Sequence, residues 1–322
     1  MKPLRKGLYE RQMIKTRTKS LLIGGLLLAF GGNPTLGQKV TDNYQQNGEN
    51  PSYFESSALS SKKDPSPDKL IILSPHFDDA VLSVGSIISE HHGPKYLLTF
   101  FSTPTITPQY LTHWDEMCGF TASVDAREIR TQENVNAAHW LGAKVINMDY
   151  VDNQYELRSP LDNSTIVEAI VKDIEKIIES TNGAQVTIIG PSYFGEGFTH
   201  PDHLLVSQAF VQVLTTACYA NATFYFYEDL PYTHKKFAEE EITLDKLLTD
   251  HYQGLHLTKR EIFISPQGFN SHLEGIQSYP SQVKAFDNLG EDIISEVGCF
   301  EMNRCPQFPL SPKPCEVIYE IR

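Results

Sequence analysis

The 322-residue sequence lacks three features that would each indicate a particular class of protein. Basic residues cluster only at the extreme N-terminus and the formal net charge is -13, which argues against a nucleic-acid partner and fits a neutral or cationic substrate better. The five cysteines contain no Cys-x-x-Cys pair of the kind found in structural zinc sites. No internal repeat of fixed period is present. The remaining possibilities centre on a globular domain with a small-molecule or glycan substrate.

A long apolar run is also missing. Residues 1–19 are rich in Lys and Arg, and the apolar stretch 21–30 is interrupted by Gly24 and Gly25. This stretch is about half of the ~20 residues that a spanning helix needs, so we expect no stable membrane span. The pattern predicts a signal peptide over residues 1–37 and a secreted or periplasmic protein. An uncleaved N-terminal membrane anchor is the alternative.

Residues 38–67 are polar and lack apolar periodicity, which predicts a disordered linker. One domain is expected over residues 68–322. Apolar strands alternate in it with amphipathic helices as far as Tyr227, which predicts an α/β, Rossmann-like three-layer αβα fold with a mostly parallel sheet. The predicted strands are 70–74, 96–101, 144–148, 186–190 and 223–227, and the predicted helices are 81–89, 123–141, 165–179 and one after Pro201.

The pattern weakens beyond Tyr227, where we expect a C-terminal extension of the same domain with short helices near 244–252 and 281–289. Three cysteines, Cys299, Cys305 and Cys315, lie in or near a proline-rich tail. They are predicted to form one disulfide bond or to remain free thiols.

Two clusters of His and Asp residues follow predicted strands. Pro75-His76-Phe77-Asp78-Asp79 follows strand 70–74, and His200-Pro201-Asp202-His203 follows strand 186–190. Open α/β sheets place their functional sites at the carboxyl ends of parallel strands, so both clusters belong at one edge of the sheet.

These residue types suit a catalytic zinc ion, which takes three protein ligands and leaves one position open for water. The predicted Zn2+ ligands are His76, Asp79 and His203. Asp78 lies beside the metal without binding it, as a general base must. His200 is placed to stabilise an oxyanion or protonate a leaving group, with Asp202 orienting or charging it. A simpler alternative exists for the Asp pair, since carboxylates that open a helix often serve as N-caps.

At these residues the sequence resembles the LmbE-like, or PIG-L, family of zinc-dependent de-N-acetylases. The resemblance covers roughly residues 69–227 and includes Arg130-Thr131-Gln132-Glu133, similar to an Arg-x-x-Glu helix of that family. It implies the same ligand, base and oxyanion roles for the residues named above. Two positions depart from the family pattern: Phe77 stands where Pro is usual and Ala80 where an acidic residue is usual. These departures affect substrate preference and not the predicted ligands.

The sequence therefore predicts a zinc-dependent hydrolase that removes an N-acyl group, acetyl above all, from an N-acetylglucosamine-type sugar or glycoconjugate. Two alternatives stay open. One is a catalytically silent carbohydrate-binding protein on the same fold, and the other is a zinc amidase that acts on a non-sugar amide.

Overall fold

The computed structural model describes residues 68–103, 110–156, 158–192, 200–216, 219–232, 254–304 and 313–321. The predicted signal peptide, the whole predicted linker and the predicted helix near 244–252 lie outside these ranges. Within them, we find no helix with the length and apolar character needed to cross a membrane.

Strands and helices alternate along the first five strands. The strands are β1 (Lys69–Ser74), β2 (Lys95–Thr99), β3 (Lys144–Asn147), β4 (Val186–Pro191), β5 (Ala222–Tyr227), β6 (Leu257–Phe263) and β7 (Cys315–Ile321). The described helices are α1 (Asp79–Glu90), α2 (His113–Cys118), α3 (Ser123–Leu141), α4 (Pro160–Glu179), α5 (Pro201–Thr216), α6 (Pro266–Gln277), α7 (Pro280–Leu289) and α8 (Ile293–Arg304).

The seven strands form one sheet in the order β3-β2-β1-β4-β5-β7-β6. The first five are parallel, while β7 pairs antiparallel with both β5 and β6. The predicted fold class, α/β with a mostly parallel sheet, is confirmed. The sequence pattern did not reveal β6 and β7. Strand β6 forms the sheet edge, and the exposed Lys259 and Arg260 in its middle hide the alternation that marks a half-buried strand.

Helices cover both faces of the sheet because the strands alternate their side chains between two cores. In β1, Ile71 and Leu73 pack in a core with α4 and α5, whereas Leu70 and Ile72 pack in a second core with α1, α3, α6, α7 and α8. These two cores produce the three layers. The helices beyond β5 therefore cover the same face of the sheet as α1.

Local sequence signals explain the helix boundaries. Helix α3 has the predicted bounds, whereas α4 begins five residues before its predicted start, at Pro160. Ser159 and Asp162 form a capping box there, and proline is well suited to the first turn of a helix. In the tail, Cys315 is disulfide-bonded while Cys299 is a free thiol.

Helix α1 is interrupted at Val84, which has non-helical backbone angles. The backbone N–H groups of Ser86 and Ile87 donate to the two carboxylate oxygens of Glu316, each at 2.8 Å. Strand β7 thus supplies a cap for the second half of α1. Burial and the nearby Glu301 raise the pKa of Glu316 well above its ordinary value. This contact attaches the C-terminal strand to the helix that begins at the candidate site.

Candidate metal centre

The two predicted motifs meet at the carboxyl edge of the sheet. His76 and Asp78 follow β1, Asp79 is the first residue of α1, and His203 lies in the first turn of α5, which follows β4. Strands β1 and β4 are neighbours, while β2 flanks β1 on its other side. The chain order of the strands reverses between β1 and β4, and such switch points form ligand-binding crevices in α/β folds.

Three donor atoms form a nearly equilateral triangle. His76 Nδ1 lies 3.2 Å from Asp79 Oδ2 and 3.2 Å from His203 Nε2, and the last two atoms are 3.1 Å apart. Ligand atoms about 2.0–2.1 Å from a tetrahedral zinc ion lie about 3.3–3.4 Å from one another. The three side chains are buried. Their donor set and spacing therefore fit a single ion of this size.

Each candidate ligand histidine has a carboxylate at its other ring nitrogen. His76 Nε2 is 3.0 Å from Asp202 Oδ2, and His203 Nδ1 is 2.5 Å from Asp229 Oδ2. Such pairs fix the tautomer and the direction of a histidine that binds a metal. The lone pairs of His76 Nδ1 and His203 Nε2 are thereby directed at the triangle.

Buried charges shift the pKa values of all three side chains of the triangle. Burial lowers the pKa of His203, but the charges and hydrogen bonds of Asp229 and Asp79 raise it overall to about 10. The pKa of His76 is also raised, since Asp152, Asp202 and Asp79 outweigh its burial. Burial opposes ionisation of Asp79, yet His203 and His76 hold the pKa of this carboxyl well below its ordinary value. A metal ion must displace the histidine protons in order to bind.

Asp78 is the N-cap residue of α1, but its side chain makes no capping hydrogen bond to the described residues of the helix. Instead, its Oδ1 lies 3.3 Å from Nη2 of Arg130 on α3. Burial and the adjacent Asp79 raise the pKa of Asp78 above its ordinary value, although Arg130 opposes this shift. The geometry thus favours a functional interpretation of this carboxylate over the capping alternative.

His200 lies beside the triangle, with its ring centroid 4.7 Å from that of His76. Burial and the charge of His76 lower its pKa to about 4, so the ring is neutral at pH 7. Its Nδ1 accepts the backbone N–H of Asp202 at 3.3 Å, which leaves Nε2 as the protonated nitrogen. The Asp202 carboxylate is 3.8 Å from His200 Nδ1 and only 3.0 Å from His76 Nε2. It therefore contacts His76 more closely than the residue it was predicted to orient.

Three buried residues near the site were not identified from the sequence. Asp229 lies two residues after β5, at the same sheet edge as the two motifs. This position just after a strand could have identified Asp229 as a site residue from the sequence. Asp152 and Arg158 lie between β3 and α4, where no motif marks them. Asp152 Oδ2 is 3.7 Å from His76 Nε2, and Arg158 pairs with Asp202 while its guanidinium lies over the Phe101 ring.

The two departures from the family pattern are both buried. The Phe77 ring lies 5.1 Å from the guanidinium carbon of Arg130, and the backbone N–H of Ala80 donates to Ser74 Oγ at 3.1 Å. Phe77 therefore packs against the arginine that pairs with Asp78. Farther along α3, Glu133 accepts two hydrogen bonds from Ser281 of α7.

A cavity of about 320 Å³ opens onto these groups. His76, Asp78, Asp79 and His200 all line it, together with Trp114 and Phe286 from helices α2 and α7. The volume lies within the usual range for small-molecule sites. A ligand in this cavity would contact the candidate metal ligands, the Asp78 carboxylate and the neutral His200 together.

Comparisons with known proteins show what the chain is similar to. The profile of the PIG-L family, described as GlcNAc-PI de-N-acetylase, matches residues 71–214. Among solved structures, a deacetylase of the pseudoaglycone of the antimicrobial A40926 is 21% identical with a TM-score of 0.64, covering 80% of this chain and 98% of that chain. The zinc-inhibited form of a teicoplanin deacetylase is 19% identical with a TM-score of 0.62, covering 79% and 98%.

At these identities the structural likeness shows a shared fold. None of the curated proteins matches the chain. The family match supports an N-deacetylase, a hydrolase of amide bonds, at the level of the family. The chain thus contains, over residues 71–214, a domain that matches the PIG-L or LmbE-like family.

Proposed function

We propose that the protein is a zinc-dependent N-deacetylase that acts on an N-acetylglucosamine-type sugar or glycoconjugate. The observation that carries this proposal is the triangle of His76, Asp79 and His203 donor atoms, 3.1–3.2 Å apart, beside the buried Asp78 carboxylate. The family match supports the reaction type. The cavity beside the triangle supplies space for the substrate amide.

When bound, a zinc ion acts as a Lewis acid on the amide carbonyl and makes water a better nucleophile at neutral pH. Asp78 accepts the proton of the attacking water. Its raised pKa brings its basicity closer to neutral pH, where a general base works best, while Arg130 holds its carboxylate in place. The candidate ligands His76, Asp79 and His203 neither accept nor donate a proton in the reaction.

His200 donates its Nε2–H to the oxygen that gains negative charge when water adds to the carbonyl carbon. A neutral donor suits this role because it needs no change of protonation as the charge develops. Asp78 then passes its proton to the amide nitrogen and the C–N bond breaks. The products are an amine on the sugar and a carboxylic acid, whose proton passes to the amine, so the reaction consumes one water molecule.

The proposal is tested with the Asp78→Asn variant, with amine release measured on a panel of N-acetylated sugars. Loss of a general base costs about 10²–10⁴-fold in turnover. We expect that loss at unchanged metal content. Asp149→Asn is the matched control, because its side chain is 82% exposed and contacts Arg127 and Thr103 at the surface. Nearly unchanged turnover of the Asp78→Asn variant would remove Asp78 as the base.

The same panel, extended by a set of non-sugar acetamides, separates the two alternative functions. A silent carbohydrate-binding protein would bind these sugars in its metal-loaded form without releasing any amine. An amidase for other substrates would hydrolyse non-sugar acetamides in preference to sugars.

A further inference from the structure

The cavity beside the candidate metal centre has two chemically different parts. His76, Asp78, Asp79 and His200 supply charged and polar groups. The remainder includes large apolar side chains from α1, α2, α7 and the segment after β5: Leu82, Trp114, Pro231, Phe286 and Leu289. Removal of an acetyl group requires space for a single methyl group beside the amide. The apolar lining is much larger than that requirement.

Trp114 and Phe286 are held in a fixed arrangement. Their ring centroids are 5.6 Å apart at an interplanar angle of 80°, an edge-to-face pair. Trp114 Nε1 donates to Gln282 Oε1 at 2.9 Å, and Gln282 itself is 2% exposed. Rings that are already positioned lose little conformational freedom when a ligand packs on them. The pair lines the cavity and leaves its volume open to a ligand.

The apolar lining joins the protein core to the surface. Leu82 and Phe286 belong to the core on the α1 face of the sheet, and Trp114 packs against that core. Leu289, at the end of α7, is 37% exposed. An apolar ligand group that covers these side chains removes their surface from water, which stabilises the complex by roughly 25 cal/mol per Å² of apolar surface.

We propose that Trp114, Phe286 and Leu289 form a subsite for an alkyl or aryl group of the substrate. The position of this subsite beside the scissile amide rests on the proposed function. An apolar group can reach it either as the aglycone of the sugar or as an N-acyl chain longer than acetyl. Both sources present the same chemistry to the subsite.

Tryptophan fluorescence tests the subsite without any turnover. The chain contains two tryptophans, Trp114 and Trp140, and Trp140 is 51% exposed on α3. In a Trp140→Phe variant, the emission therefore reports on Trp114 alone. We expect a saturable blue shift with octyl N-acetylglucosaminide below its micelle concentration and a much smaller response to the methyl glycoside. The Trp114→Phe variant, in which Trp140 is the reporter, should show no shift.

Kinetics then identify the source of the apolar group. One series varies the aglycone of N-acetylglucosamine from methyl to phenyl and octyl, and the other varies the N-acyl chain of the methyl glycoside from acetyl to butyryl and octanoyl. In one of the two series, we expect kcat/KM to rise about tenfold or more from the shortest to the longest apolar group. Leu289→Ala and Trp114→Ala should reduce that gain, measured as the ratio of kcat/KM for the longest member of the series to kcat/KM for the methyl N-acetyl reference. Trp140→Ala should leave the gain intact.

A Trp114 emission that responds equally to methyl and octyl glycosides would overturn the subsite, as would a kinetic preference that survives in Trp114→Ala. Leu289→Ala guards against misfolding, because this side chain is partly exposed whereas Phe286 is buried. Failure of the proposed function gives a different result. In that case no member of either series is hydrolysed, while the fluorescence response to the octyl group still decides whether the subsite exists.

Discussion

Asp229 provides a sharp test of the metal centre because it contacts the candidate ligand His203. Its Oδ2 is 2.5 Å from His203 Nδ1, and both side chains are fully buried. Replacing Asp229 by Ala removes the carboxylate that fixes the tautomer of His203 and directs its Nε2 at the triangle. Replacing it by Asn keeps an oxygen acceptor but removes the charge.

The expected size of the effect follows from this contact. Loss of a carboxylate that orients a metal-binding histidine lowers metal affinity by about 10–100-fold. This range corresponds to about 1.4–2.7 kcal/mol of binding free energy. We expect Asp229→Ala to fall within it and Asp229→Asn to lose less affinity. In the metal-free protein, Asp229→Ala should also lower stability, since protonated His203 would lose its nearest buried anion.

Zinc affinity is measured by competition with a chelating dye on protein first treated with a strong chelator, and circular dichroism confirms the fold. Glu228→Gln is the matched control, because Glu228 is the adjacent buried carboxylate but accepts a hydrogen bond from Tyr319. The zinc affinity of Glu228→Gln should equal that of the unaltered protein. Equal zinc affinities for folded Asp229→Ala and the unaltered protein would refute the assignment of His203 as a ligand.

Further predictions concern catalysis, protons and packing. His200→Ala should lower kcat by about 10²–10³-fold with little change in zinc content, as measured by amine release, because one oxyanion donor is lost. Zinc binding at pH 7 should release protons, because the pKa of His203 in the metal-free protein is about 10. Calorimetry in buffers of different ionisation heat measures the number of protons released. The affinity for zinc should rise from pH 6 to pH 8. Gly85→Ala should lower the free energy of unfolding by about 1–3 kcal/mol, because a Cβ atom there would lie 2.2 Å from His272 Cδ2. In thermal melts, Gly298→Ala should instead be neutral or stabilising by up to about 1 kcal/mol, since its Cβ would have only ordinary contacts.

The raised pKa of His203 also determines how the stability of the metal-free protein changes with pH. The folded-state pKa of His203 is raised above its ordinary value of 6.5 to about 10. Its pairing with Asp229 and Asp79 therefore stabilises the metal-free protein fully below about pH 6.5. This contribution is lost as the pH rises through about 10.

Apolar runs were enough to predict the parallel part of the sheet. Strands β1 and β4 are buried on both faces, so their sequences are continuously apolar and easily recognised. Strand β6 was missed because it lies at an edge and carries charged residues. The helix α4 start was predicted too late because its first turn depends on the capping box of Ser159 and Asp162 and not on apolar periodicity.

In the candidate site too, some residues could be predicted from the sequence and others could not. His76, Asp79 and His203 could be predicted because they occur in two short His-Asp motifs, each after an apolar strand, and their donor atoms do meet in space. Arg158 and Asp152 could not be predicted, since they come from a connecting segment whose path depends on tertiary structure. The closer contact of Asp202 with His76 than with His200 also required three-dimensional distances.

Metal stoichiometry tests the central claim most directly. Chelator-treated protein is dialysed against a low concentration of zinc, and bound metal is measured by mass spectrometry for the unaltered protein and for a His76→Ala, His203→Ala double variant. We expect one tightly bound zinc ion per chain in the unaltered protein and its loss in the folded double variant. A folded, unaltered protein that binds no zinc would contradict the account, and so would a double variant that retains one ion with the same affinity.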